Sequence, residues 1–443
     1  EVLAGMNRLM RGFSENYLQA ARDYADFGAY AEAAELLEQC AEDKPMLFYY
    51  RAYFAGLAGL GDEAVLELLK RAEEACPDYC FPNKLEDIRV LESAIRRNPE
   101  GARAYYYLGN LFYDKLQYER ATELWEKSVE LDGCFPVALR NLALSYYNKM
   151  GRREEARAVM ERAFDLNRAD ARIFLELDQL YKKLGVTAEE RLANYEANRE
   201  TFMKRDDAVI EYITLKNQLG RHREAYELTM SRRFHPWEGG EGKITTQYTV
   251  ALVELAKEAI GNGEPELAQE LLNRALTYPE NLGEGKLEGT KDNHIYYYMG
   301  CVKEALGFPE EARECFERAS VGPDEPAGMM YYYDQPADMI LYQGLAKLKL
   351  GKTGEAKSRF YRLIDYGEQH IGDHMRIEYF AVSLPDFLIF EDDLDVRNKA
   401  HCCYLMGLGN LGLGNVQEAE RFFDQALEMD GNHLNAIRYR RGI

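Results

Sequence analysis

Three groups of side chains in this sequence have the types and spacing to do chemistry. The first lies in "RRFHPWEGGEGK", residues 232 to 243, where His235, Trp237 and Glu238 bring an imidazole, an indole and a carboxylate into one glycine-rich loop. An aromatic beside acid and imidazole is the composition of a sugar-stacking or domain-docking corner. The alternative is a tryptophan that pins its own loop against the helices. The second group is acidic: Asp386, Glu391, Asp392, Asp393 and Asp395 could hold a hard cation, which takes several carboxylates. No EF-hand spacing is present, and a solvated acidic turn or helix start has the same composition. The third is His370 and His374, four apart and so one helical turn, the separation of two metal-binding imidazoles. Gly372 lies between them, and no third ligand is evident. The sequence contains no G-x-S-x-G, no phosphate loop and no H-E-x-x-H, so no catalytic residue, metal or cofactor is assigned.

Composition narrows the partners. A formal charge of −21 and a pI near 5.0 argue against nucleic acid and against an anionic membrane surface, both of which need clustered Lys and Arg. The strongest apolar run, Phe387 to Phe390, is four residues long, far short of the roughly 18 needed to span a bilayer. Eight cysteines are scattered without paired C-x-x-C spacing, which reads as reduced core thiols in a cytoplasmic protein. The chain begins at Glu1 and runs straight into helix-like sequence, as an excised piece of a longer protein would.

The elements that must position these groups are written in the spacing of small residues. Gly109 and Ala121 stand twelve apart, and the same interval separates Ala21 and Ala33, Ala52 and Ala64, Ala256 and Ala268, Gly300 and Ala312, Gly344 and Ala356, and Gly407 and Ala419. Four residues past the second member comes a large apolar side chain each time: Leu37, Leu68, Trp125, Leu272, Phe316, Phe360 or Phe423. In a helical hairpin two backbones approach closely only where Gly or Ala sits at the crossing, and bulky residues one turn away fill the gap. The spacing predicts hairpins at about 17–42, 48–75, 102–132, 136–167, 171–200, 207–232, 249–279, 293–320, 337–365 and 400–430, with a joining helix at 84–97. Between 136 and 232 the pattern loosens, and it fades around Glu190.

This pattern resembles the tetratricopeptide repeat, a helix-turn-helix unit of 34 residues. Tyr105, Leu108, Gly109, Phe112, Ala121, Trp125 and Ser128 occupy the places the family gives to its signature residues. The resemblance implies an all-α fold, a right-handed α-solenoid of about ten tetratricopeptide-like hairpins. Residues 1–232 would form an amino-terminal array and 233–443 a carboxy-terminal array with long inter-repeat loops, in one continuous solenoid. The loops "FHPWEGGEGK", "GTKDNHIYYYMG" and "SLPDFLIFEDDLDVRN" look more narrowly like the carboxy-terminal part of a large bacterial family of unknown function. Its members resemble a carbohydrate-enzyme-like β-sandwich followed by such repeats.

The resemblance also implies a groove lined by the first helix of each hairpin. It places Arg103, Tyr106, Asn110 and Tyr113 there in one unit, and Arg140, Asn141, Tyr147 and Asn148 in the next. Arg, Asn and Tyr suit an extended polar ligand, because amides and guanidinium groups bond a peptide backbone or a sugar hydroxyl. Asn110 and Asn141 match the family's chaperone-tail clamp, but Tyr106 replaces its first cation. Tyr106 is expected to face the groove while Tyr105 packs. In "IYYYMG" Tyr296 is expected to pack and Tyr297 to be exposed, joining His235, Trp237, Glu238, Asp386, Glu391 and Asp392 on a loop surface. The expected role is a non-catalytic binding or scaffold module for another protein or for a β-sandwich domain of the same parent polypeptide. The alternative is the helical part of a carbohydrate-active enzyme whose loops contact an oligosaccharide.

Overall fold

The computed structural model describes residues 2–237, 239–326, 328, 336–376 and 389–443, with the backbone alone for residues 2–4. Among the described residues there is no strand, and the chain separates into two compact units, Glu1–Arg168 and Ala169–Ile443. The first unit holds four hairpins: Ser14–Asp26 with Tyr30–Glu38, Pro45–Ala58 with Asp62–Glu74, Ala102–Asp114 with Tyr118–Leu131, and Pro136–Asn148 with Arg153–Leu166. The single helix Leu85–Arg97 interrupts them. Among its described residues the second unit holds six, from Ala171–Lys183 with Ala188–Ala197 to Leu394–Leu413 with Val416–Met429, followed by the helix Leu434–Arg441. The all-α reading and the ten expected stretches coincide with these hairpins.

The crossings behave as their spacing requires. A Cβ added to Gly109 would lie 2.6 Å from the Trp125 ring, and one added to Gly300, Gly344 or Gly407 would lie 2.5, 2.2 or 2.5 Å from Phe316, Phe360 or Phe423. Each ring therefore rests on the bare backbone of the helix before it, sixteen residues earlier in sequence. Ala121, Ala268, Ala312, Ala356 and Ala419, which supply the second small residue, are at most 1 % exposed.

One hairpin departs by a residue. Ala64 is exposed, and Val65, Leu69 and Ala72 hold the buried places on Asp62–Glu74. The turn before it carries two glycines at positive φ, Gly59 and Gly61, and the extra residue rotates the second helix by about 100°. A second departure explains why the pattern fades near Glu190. There the first helix presents Asp178 and the second Arg191, both fully buried, and the guanidinium donates to the carboxylate at 2.8 and 2.7 Å. Tyr195 donates to the same carboxylate at 3.1 Å. A bidentate ion pair replaces the small-residue crossing.

The closing residues of the second unit, 432–439, bond to the first helices of three hairpins. Gln218 donates to the Asn432 carbonyl at 2.7 Å, Arg438 makes a fork on Glu254 at 3.0 and 2.6 Å, and Tyr439 donates to Asp338 at 3.2 Å. His222 is buried and His294 half-buried nearby, and loss of water around the rings, reinforced by the Arg438 charge, holds them down at about 4 and about 3. Burial alone would raise Glu254, but Arg438 and Lys257 beside it bring it to about 2.

Gly109→Ala should destabilise the first unit by about 1–3 kcal/mol through overpacking against Trp125, read as a lower urea midpoint; an unchanged midpoint would contradict the crossing. The histidine contribution to the second unit should be complete above the ordinary imidazole value near 6.5 and be lost as pH falls toward 4, because the unfolded chain then binds protons that the folded chain does not. The slope reaches up to roughly 1.4 kcal/mol per pH unit for each histidine. Urea midpoints measured across that range check it, and His294→Leu should flatten the fall.

Candidate functional site

The expected groove residues sit on Ala102–Asp114 and Pro136–Asn148, and the structure joins several of them into a row. The Trp125 indole N–H donates to the Asn110 side-chain oxygen at 3.0 Å and lies 3.2 Å from the Tyr106 carbonyl. The Asn141 amide donates to the same Asn110 oxygen at 3.0 Å, and Arg140 donates to the Asn141 oxygen at 3.1 Å. The two asparagines that match the family clamp are thus bonded to each other, bracing adjacent hairpins. Their amides are partly committed before any ligand arrives.

Tyr106 does not face an open groove. It is 6 % exposed, with its ring 4.8 Å from Phe135 and 5.1 Å from Tyr107, and burial pushes its phenol above the ordinary tyrosine value. Phe135, arriving in the turn before the next hairpin, covers the position, and Arg103 lies over that ring at 3.4 Å. Tyr105 is the half-exposed member of the run, its hydroxyl 3.3 Å from the Pro99 carbonyl. Tyr113 packs 5.1 Å from Trp125 and 4.9 Å from Tyr118, while Tyr147 lies 5.8 Å beneath Arg153. Arg103, Asn110, Tyr113, Arg140, Asn141, Tyr147 and Asn148 are half-buried, so the row offers partial surface for contact.

The loop residues are not brought into one site. His235 is exposed, and its ring and backbone N–H lie 3.0 and 2.9 Å from one oxygen of Asp206, which also pairs with Arg232. These contacts tie the loop to the start of the helix Asp206–Gln218. Trp237 is half-buried on its own turn: a Cβ on Gly240 would fall 2.2 Å from the indole, and Gly240 donates to the Trp237 carbonyl at 2.9 Å. Glu238 and Asp386 lie outside the described residues. Tyr297, expected to be exposed, packs among Tyr298, Tyr342 and Phe316 at 5.3, 5.7 and 6.0 Å. The ring resting on Gly300 gives it a surface to pack on.

The acidic stretch caps a helix. Asp393 accepts from the backbone of Asp395 and Val396 at 3.0 and 3.1 Å, and Asp392 pairs with Lys183. Glu391 is exposed. His370 and His374 turn to different carboxylates, Asp373 and Asp395, each at 2.7 Å. Among the described residues no group of three or more His, Cys, Asp or Glu side chains is placed to hold a metal ion. All eight cysteines are free thiols, three of them buried. No helix among the described residues is long and apolar enough to cross a membrane.

No sequence signal pointed to the seat of Leu434–Arg441 on the second unit. Arg438 and Glu254 are 184 residues apart, and Arg191 and Asn432, bonded at 2.7 Å, are 241 apart. Local periodicity carries nothing at such separations.

Profiles described as Tetratricopeptide repeat match residues 88–133, 138–170 and 400–433. Among solved structures, YrrB, described as a TPR protein with an unusual peptide-binding site, is 20% identical, covering 44% of this chain and 93% of its own, with a TM-score of 0.32. A thermophilic TPR protein in Thermus thermophilus is 19% identical over 46% of this chain and 98% of its own, TM-score 0.27. MamA from Desulfovibrio magneticus RS-1 is 18% identical over 44% and 97%, TM-score 0.26. Profile and packing agree on the unit of construction: the chain carries tetratricopeptide repeats at 88–133, 138–170 and 400–433.

Proposed function

We propose that this chain is a non-catalytic helical-repeat scaffold that binds another protein, or a further domain of its own parent polypeptide such as the β-sandwich the sequence resemblance implies. The observation that supports it best is the seat of Leu434–Arg441. Three first helices of the second unit hold residues 432–439: Glu254 takes a half-buried fork from Arg438, Asp338 a phenol from Tyr439, and Gln218 gives an amide to the Asn432 carbonyl. A row of first helices in this chain is therefore chemically suited to take up a helical segment. The first unit's row, from Arg103 through Tyr147 and Asn148, is the proposed partner face. It combines guanidinium, amide and phenol groups held at fixed spacing by the Trp125–Asn110–Asn141 bonds, so little ordering remains to be done on binding. A polar row of this kind gives register and specificity, and Tyr113 and Tyr147 supply flat area.

An oligosaccharide at Trp237 is the competing reading. The indole face that lies on Gly240 is already used by the loop itself, which weighs against stacking there.

The test is binding of the chain to the segment that adjoins it in its parent polypeptide, produced separately and followed by calorimetry. Tyr147→Ala combined with Asn148→Ala should weaken binding at least about tenfold with the helical fold retained, checked by circular dichroism. Unaltered affinity would remove the row from the interface. An oligosaccharide that raises the melting temperature, with the effect lost in Trp237→Ala, would favour the carbohydrate reading instead.

A further inference from the structure

The first unit contains a charge that the scaffold reading does not use. Arg22, on the first helix of the opening hairpin, is only 9 % exposed, and among the described residues no carboxylate pairs with it. Its Nη2 donates to the Gln19 amide oxygen at 3.0 Å, its Nη1 lies 3.5 Å from the Tyr50 hydroxyl, and its guanidinium stands 5.6 Å from the Tyr50 ring. A guanidinium so far removed from water without an anion in direct contact is costly to keep, and most buried charges in proteins are paired.

Arg22 opens into a cavity of about 140 Å³ between the first two hairpins, roofed by residues 79–84. That roof falls outside the repeat spacing, in the segment before the helix Leu85–Arg97. Lys44 and Lys84 also line it, both half-buried, and neither has a carboxylate partner among the described residues; the Lys84 ammonium lies 3.4 Å from Gln19. Two acids are present as well. Asp87 accepts from the Tyr50 hydroxyl at 2.7 Å and from the backbone N–H groups of Asn83 and Lys84 at 2.9 and 3.0 Å, so Tyr50 stands between it and Arg22. Glu15 is exposed at the rim. Three cations and two carboxylates thus line a small cavity, a local excess of positive charge in a chain whose net charge is −21.

We propose that this cavity is a carboxylate-binding site, with Arg22 as the fork that takes the carboxylate and Lys44 and Lys84 as flanking charges. A planar guanidinium matches a carboxylate through two parallel N–H···O bonds, and the lysines add charge without geometric demand. The volume suits a small organic acid, or the single acidic side chain or chain end of a partner. The inference goes beyond the scaffold reading and does not depend on the Tyr147 face.

The test is thermal melting of the full chain with sodium succinate, with a short glutamate-rich peptide, with inorganic phosphate, and with sodium chloride at matched ionic strength. Succinate or the peptide should raise the melting temperature saturably above the chloride control. A response to succinate identifies a free acid as sufficient, and a response to the peptide alone identifies an acidic segment of a partner. Arg22→Gln should reduce the apparent affinity at least about tenfold. The same variant should melt, without any anion, at or above the parent temperature, because it removes a buried charge that lacks an internal partner. Lys84→Gln, on the half-buried roof, should weaken the response with the fold intact. No saturable response to either carboxylate, a response to phosphate alone, or an Arg22→Gln chain that melts lower in the absence of anion would each overturn the proposal.

Discussion

The contact on which most depends, at four of the crossings, is an aromatic side chain of the second helix laid on the bare glycine backbone of the first. Gly109 under Trp125, Gly300 under Phe316, Gly344 under Phe360 and Gly407 under Phe423 are the same contact repeated. A methyl group at any of these glycines would meet the ring inside van der Waals distance, so the residue type, the interval and the close approach of the helices are one constraint. Because each hairpin buries only one face alone, its neighbours must cover the rest, and the contact is propagated along each unit.

That constraint also decides which side chains remain for recognition. With the crossing side of each first helix committed to packing, polar residues gather in rows along the other side, where they bond to one another. In the first unit this gives the Trp125–Asn110–Asn141–Arg140 row. In the second it gives the seat for the final helix, where Arg438 satisfies Glu254 and the surrounding imidazoles stay neutral. In the second unit the fully buried Arg191 and the half-buried Arg438 are paired with carboxylates. Arg22 differs in having only neutral contacts, and that difference singles it out.

The hairpins were legible in the sequence because Gly and Ala leave no alternative explanation when they recur at a fixed interval ahead of a large apolar residue. The ruler slipped at Ala64, where Gly61 adds a residue to the turn, and faded at Glu190, where the Arg191–Asp178 pair stands in for a small-residue crossing. Exposure of individual tyrosines was less legible. Tyr106 and Tyr297 stand at outward positions of an ideal repeat, yet Phe135 from the next turn covers the first, and Phe316 with Tyr342 encloses the second. Helical periodicity describes one element, whereas these contacts come from the next one. The burial of Arg22 was invisible for the same reason, since the roof over it comes from residues 79–84.

The central claim is that ring and glycine form a single packing unit, and a double-mutant cycle at Gly300 and Phe316 tests it most directly. Gly300→Ala, Phe316→Leu and the double variant would be compared by urea denaturation. The account predicts that the alanine is much better tolerated once the ring is shortened, with a coupling of about 1 kcal/mol or more between the two sites. Additive effects, equal to the sum of the single changes within about 0.3 kcal/mol, would contradict it.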